Sequence, residues 1–92
     1  MYWLLFYDVV DDYGERRGEF RDDHLARARA SVDRGELLLG GALADPVDGA
    51  VLLFTAEDRS VVEEFARADP YVRNGIVKEW RVRPWTVVVG TL

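Results

Sequence analysis

Tyr2 to Val10 is almost wholly apolar or aromatic and rich in strand formers, so the chain opens on a predicted strand that ends at the turn Asp11-Asp12-Tyr13-Gly14. From Glu19 to about Arg34 the period changes. Phe20, His24, Ala28 and Val32 recur every four residues with Leu25 widening the stripe, and Gly35 supplies a stop, which together predict a helix. Leu37–Leu43 and Ala50–Thr55 read as two strands joined through the turn Asp45-Pro46-Val47-Asp48-Gly49, and so as a hairpin. Thr55-x-x-Asp58 has the form of a capping box ahead of Val61, Val62, Phe65, Ala66 and Ala68, whose spacing is helical. Asp69-Pro70 stops that second helix, because the residue before a proline is pushed out of the α region. After a short turn closed by Asn74-Gly75, Val77–Trp85 reads as a strand and Thr86–Gly90 as a possible last one.

The order strand, helix, strand, strand, helix, strand predicts an α+β fold of ferredoxin-like type, an antiparallel sheet with two main helices on one face. A sheet that turned its other face to water would alternate apolar and polar residues. Yet Trp3, Leu5 and Tyr7 are apolar, and so are Leu4 and Phe6 between them. Leu37 to Leu39 and Val51 to Phe54 behave in the same way. An apolar face of that size is expected to be covered by the sheet of a second copy, in a two-fold homodimer whose sheets pack face to face.

With 92 residues the chain makes one small domain, 1–92, with a single core. Its net charge of −5 offers no basic footprint for a phosphate backbone, so nucleic acid is not an expected partner. The absence of cysteine excludes disulfides, thiolate metal sites and a Cys nucleophile. No apolar run reaches membrane-spanning length and no signal peptide is visible, so neither a membrane nor export is expected, and a cytoplasmic location is. Asp8, Asp11 and Asp12 near a single histidine match no metal-ligand spacing, and glycine-rich phosphate loops and nucleophile elbows are missing. No metal and no cofactor are expected.

His24 is the only histidine, set in Phe20-Arg21-Asp22-Asp23-His24-Leu25. Histidine is the one side chain whose unperturbed pKa lies near neutrality, which makes this residue a candidate proton carrier; the alternative is an ordinary packed or solvated helix residue. Phe20 lies four residues before it and Arg21 three, so an imidazole at the buried edge of the helix would have a guanidinium in reach for an anionic ligand oxygen. Asp69, at the Asp69-Pro70-Tyr71 corner, is the second candidate. It is either the N-cap of the next turn or a carboxylate that fixes the tautomer of His24, and spacing does not decide between them. Gly40-Gly41 inside a strand marks a bulge, a close approach by a ligand or backbone, or tight sheet packing, and Gly41 is the candidate ligand contact. Tyr71 and Trp80 are candidates to line an aromatic pocket, alongside core roles.

Arg21-x-x-His24-Leu25, Gly35, Gly40-Gly41-Ala42-Leu43, Asp69-Pro70-Tyr71 and the tail Arg83-Pro84-Trp85-Thr86-Val87-Val88-Val89 occur in an order that resembles the YCII-related (YciI-like) proteins over nearly the whole chain. The resemblance implies the dimeric α+β barrel fold. It also implies that His24 and Asp69 form the catalytic pair, with Arg21 and Tyr71 beside the ligand. A characterised relative eliminates chloride from a chlorinated hydroxyquinone, whereas most members have no assigned reaction. Ala42 departs from the pattern, since many relatives carry proline after the glycine.

Two readings of function follow. In the first the protein is a small-molecule enzyme that uses a His24–Asp69 pair for acid/base chemistry of lyase, dehydrochlorinase or isomerase type. The alternative is a non-catalytic, metabolite-binding dimeric domain in which His24 only hydrogen-bonds the ligand. A purely structural dimer domain would require His24 and Asp69 to lie far apart, with no cavity beside them.

Overall fold

A computed structural model describes residues 1–91. Its elements are β1 (Tyr2–Val9), α1 (Tyr13–Asp33), β2 (Leu37–Ala42), β3 (Gly49–Thr55), α2 (Arg59–Ala68), α3 (Pro70–Arg73) and β4 (Val77–Trp85). The strands form one antiparallel sheet in the order β2-β3-β1-β4, so the fold is the α+β, ferredoxin-like sandwich that the pattern predicts.

Period-two alternation decides which face of the sheet the helices cover. Trp3, Leu5, Tyr7 and Val9 of β1 point to the helices and are buried, together with Leu37, Leu52, Phe54 and Val82 from the other strands. Val62, Phe65 and Ala66 of α2 close over them, and Phe54 meets Phe65 edge to face with ring centroids 5.1 Å apart. Burial of a side chain such as Leu5 or Phe54 contributes about 1.5–3 kcal/mol. On the opposite face the register aligns Leu4 with Leu53 and Phe6 with Val51. Along β4 the same face turns polar, with Arg81 opposite Phe6 and Arg83 opposite Leu4. The doubly apolar character is therefore confined to β1, β2 and β3.

Several boundaries differ from the pattern. The first helix begins at Tyr13, not Glu19, so the turn after β1 shrinks to Asp11-Asp12 and both Gly14 and Gly18 are helical. Glycine disfavours a helix interior by about 1 kcal/mol, and contacts from α3 override that preference. Tyr13 meets the Tyr71 ring edge-on at 6.0 Å, and the Arg16 guanidinium donates to the Asn74 carbonyl at 2.9 Å. Thr55 closes β3 and takes no part in capping. Asp58 is itself the N-cap of α2, its side chain accepting from the Ser60 N–H at 3.0 Å. The β2–β3 irregularity falls at Leu38, ahead of Gly40-Gly41. Thr86–Gly90 forms no strand; Val87 and Val89 instead border a hollow of about 570 Å³ on the helix-free face, beside Tyr2, Leu4 and Leu53.

The largest departure concerns the inner stripe of α1. Phe20 and Ala28 are only partly buried against the core, and Val32 is 51% exposed. Between α1 and the edge strand β2 the sandwich gapes, leaving a cavity of about 450 Å³.

Candidate functional site

Asp69 sits at a forced break in the chain. Pro70 holds it in an extended conformation (φ −67°, ψ 126°), which ends α2 and makes Asp69 the N-cap of α3. The side chain is completely buried, and three donors converge on it. Oδ1 accepts the Tyr71 N–H at 3.0 Å and lies 2.8 Å from His24 Nδ1, while Oδ2 accepts the Tyr7 hydroxyl at 2.7 Å. Cap and histidine partner are thus one arrangement, because the two carboxylate oxygens have lone pairs enough for all three. Such full pairing is what a completely buried carboxylate requires.

His24 comes from the middle of α1. Its ring stacks on Tyr71 with centroids 3.9 Å apart and planes 8° from parallel, and its side chain keeps 15% exposure where it borders the cavity. A carboxylate only accepts, so Nδ1 is the donor to Asp69, and in the neutral imidazole Nε2 is then the unprotonated nitrogen. Nε2 has no protein hydrogen bond among the described residues. Burial, followed by the Asp69 charge and hydrogen bond, pushes the Tyr7 hydroxyl well above the usual tyrosine range. Burial and then Tyr13 raise Tyr71 as well, opposed by the charges of Arg21 and Arg17.

Of the other residues singled out in the sequence, Arg21 and Tyr71 line the cavity with His24. Gly41 borders it from the edge strand, and a Cβ there would meet nothing within 4 Å, so packing within the chain does not require the glycine. Trp80 is not part of this site. It is half-buried against the core, with the Arg67 guanidinium 5.8 Å above its ring. Among the described residues no group of His, Asp and Glu side chains is arranged to hold a metal ion.

Sequence reasoning missed Tyr7 and Arg17. Tyr7 carried a signal: it is a hydroxyl at an inward position of an otherwise apolar strand, and a buried phenol needs a partner. Arg17 lay in the segment read as a loop, and its four-residue offset from Arg21 has meaning only once that segment is helical.

The fold and site define a class of protein: a ferredoxin-like sandwich in which a fully buried carboxylate anchors a single histidine at the edge of a cavity between the first helix and the sheet. Residues 1–86 match the YCII-related domain, and the chain belongs to that family. It is 29% identical to Protein YciI of Escherichia coli O6:H1 over 97 aligned positions, covering 96% of this chain and 99% of that protein. An uncharacterized protein of Haemophilus influenzae is 27% identical with the same coverage. Among solved structures the fold is similar to 5-chloro-2-hydroxyhydroquinone dehydrochlorinase (TftG) from Burkholderia phenoliruptrix AC1100, in complex with 2,5-dihydroxybenzoquinone. The TM-score is 0.78 at 20% identity, over 94% of each chain.

Proposed function

We infer that this protein is a small-molecule enzyme in which His24, oriented by Asp69, moves a proton to or from a substrate held in the cavity between α1 and β2. The observation that carries the reading is the 2.8 Å contact between His24 Nδ1 and Asp69 Oδ1 at the edge of that cavity. A histidine so anchored keeps one tautomer and one ring orientation, with Nε2 left without a protein partner among the described residues; these are the properties a general base needs. Tyr71 enters as the stacking partner of the ring, Arg21 as a ligand contact and Gly41 as a strip of backbone open to the ligand. The dehydrochlorinase of similar fold supports chemistry of elimination type on a hydroxylated ring. The working unit is a homodimer, with a second copy covering the apolar strip of Tyr2, Leu4, Phe6, Val51 and Leu39 on the helix-free face.

The test uses chlorinated hydroxyhydroquinones, with chloride release and quinone absorbance as readouts. His24→Ala is expected to lower turnover by a factor on the order of 10²–10⁴ while sedimentation still shows a folded dimer. Turnover unchanged in that variant would sink the acid/base role, and a wild-type monomer at micromolar concentration would sink the dimer. Saturable ligand binding without product, in wild type and variant alike, would favour the non-catalytic reading.

A further inference from the structure

Charge around the cavity runs against the charge of the protein. The chain carries 17 acidic and 12 basic side chains, yet the cavity wall contains Arg17, Arg21 and Arg29 beside His24 and no aspartate or glutamate. These guanidiniums also differ from most others in the molecule. Arg16, Arg27 and Arg59 donate to backbone carbonyls, while Arg34, Arg67 and Arg81 pair with carboxylates. Arg17, Arg21 and Arg29 have no hydrogen bond or ion pair among the described residues.

The helix determines where the charges converge. Arg17 and Arg21 are four residues apart and His24 three further on, which puts all three along one face of α1. Arg17 lies over the Tyr13 ring at 5.4 Å, and Tyr13 abuts Tyr71, the ring stacked on His24. The following turns of the same helix, with Leu37 of β2, add apolar wall: Leu25, Ala28 and Val32. The N-terminal half of this helix wall therefore carries Arg17 and Arg21 next to the imidazole, whereas its C-terminal half, Arg29 apart, offers hydrocarbon.

We propose that the cavity takes a small organic monoanion, an oxyanion on a planar apolar body. Arg17 and Arg21 bind the anionic oxygen and the apolar wall takes the ring. A guanidinium fork matches a planar oxyanion, and charge-assisted hydrogen bonds are about twice as strong as neutral ones. The cavity volume lies within the range of small-molecule sites and holds a single substituted ring with room to spare. The proposal deepens the functional reading above and rests on the same cavity, but anion selectivity is measurable without any turnover.

Because His24 is the only histidine, its ring Cε1–H gives one NMR correlation that reports occupancy of the site in the full chain. Benzoate and its neutral isostere benzamide are titrated at matched ionic strength. Benzoate is expected to shift that signal saturably in the millimolar range and to bind about tenfold or more tighter than benzamide. Arg21→Gln, at an exposed position, is expected to weaken benzoate by about tenfold and leave benzamide unchanged, with Arg17→Gln acting in the same direction. Arg73→Gln removes a guanidinium that lies outside the cavity and has no hydrogen bond or ion pair among the described residues, and it is expected to leave both affinities alone. Equal binding of the two probes, no saturation by benzoate up to about 50 mM, or equal losses in the Arg73 and Arg21 variants would overturn the proposal. Absence of turnover with anion selectivity intact would remove the catalytic reading and leave this one standing.

Discussion

Replacing Tyr7 with phenylalanine deletes one oxygen atom and isolates the innermost contact of the site. The hydroxyl donates to Asp69 Oδ2 at 2.7 Å inside a residue with no exposed surface, and no other protein donor reaches that oxygen among the described residues. A buried acceptor left without its partner costs its full desolvation, and hydrogen bonds to charged groups are worth about 1.5–3 kcal/mol, so Tyr7→Phe is expected to destabilise by about 2 kcal/mol near pH 7. For a domain of this size that is a fall in Tm on the order of 10 °C at fixed protein concentration. The hydroxyl also titrates. Burial and the Asp69 carboxylate raise its folded pKa above the unfolded value of about 10, so above that pH the unfolded chain releases a proton that the folded protein retains. The stability from this group is complete below pH 10 or so, then declines by about tenfold in the folding constant per pH unit. Tyr7→Phe has no such decline, and every other titration is common to both proteins and cancels. A deficit of about 2 kcal/mol is close to one and a half decades, so the urea stability curves of wild type and variant should converge near pH 11.5. A difference that stays constant from pH 8 to 12, or a variant as stable as wild type at neutrality, would refute the buried hydroxyl–carboxylate contact.

Other positions yield sharper signs than sizes. Gly14 and Gly18 lie inside α1 with nothing within 4 Å of an added Cβ, so Gly14→Ala and Gly18→Ala should each stabilise by about 0.5–1 kcal/mol in urea melts; a loss in either would mean that the helix does not extend to Tyr13. Gly49→Ala should destabilise, because its Cβ would fall 2.6 Å from the Tyr7 carbonyl oxygen in the paired β1–β3 ladder, and an unchanged Tm would contradict that approach. Asp69→Ala strands the Tyr7 hydroxyl, the Tyr71 N–H and His24 Nδ1 together, and it should lose at least about 3 kcal/mol along with most turnover. In Asp69→Asn, stability near wild type with turnover much reduced would separate the orienting role from the cap, whereas full activity would show that the carboxylate does not orient His24.

The architecture was legible because its signals are redundant. Leu5, Phe54, Val62 and Phe65 obey period-two or helical spacing where several elements agree, and the Asp69-Pro70 break constrains the backbone locally whatever its surroundings. What escaped depends on contacts between segments distant in sequence. Gly14 and Gly18 predict a loop by propensity, and only Tyr71 and Asn74, nearly sixty residues later, make that segment helical. The stripe Phe20-His24-Ala28-Val32 has the spacing of a core face, yet spacing cannot reveal that α1 stands away from β2 and turns that face into a cavity wall. Arg17 was hidden for the same reason, since its role depends on a helix that local preference opposes.

One consequence of the geometry is that folding and site assembly cannot be separated at Asp69. The residue that terminates α2 and caps α3 also receives a strand hydroxyl and the imidazole of α1, so four elements meet at one buried carboxylate. A histidine held only by its own helix would sample several rotamers. Here its ring is held on one face by Tyr71 and at one edge by Asp69, both of which belong to the Asp-Pro corner. The corner is rigid because Pro70 fixes its backbone and Tyr7 anchors its far oxygen, so the position of the His24 ring relative to the cavity is defined by packing in the core and not by the exposed surface of α1. Changes along that surface, such as Asp22→Ala or Asp23→Ala, are therefore expected to leave the His24–Asp69 contact intact, whereas a change at Tyr7, in the core and on a different element, is expected to loosen it. A His24 NMR signal that moved more in the surface variants than in Tyr7→Phe would invert that hierarchy and place the control of the ring on α1 itself.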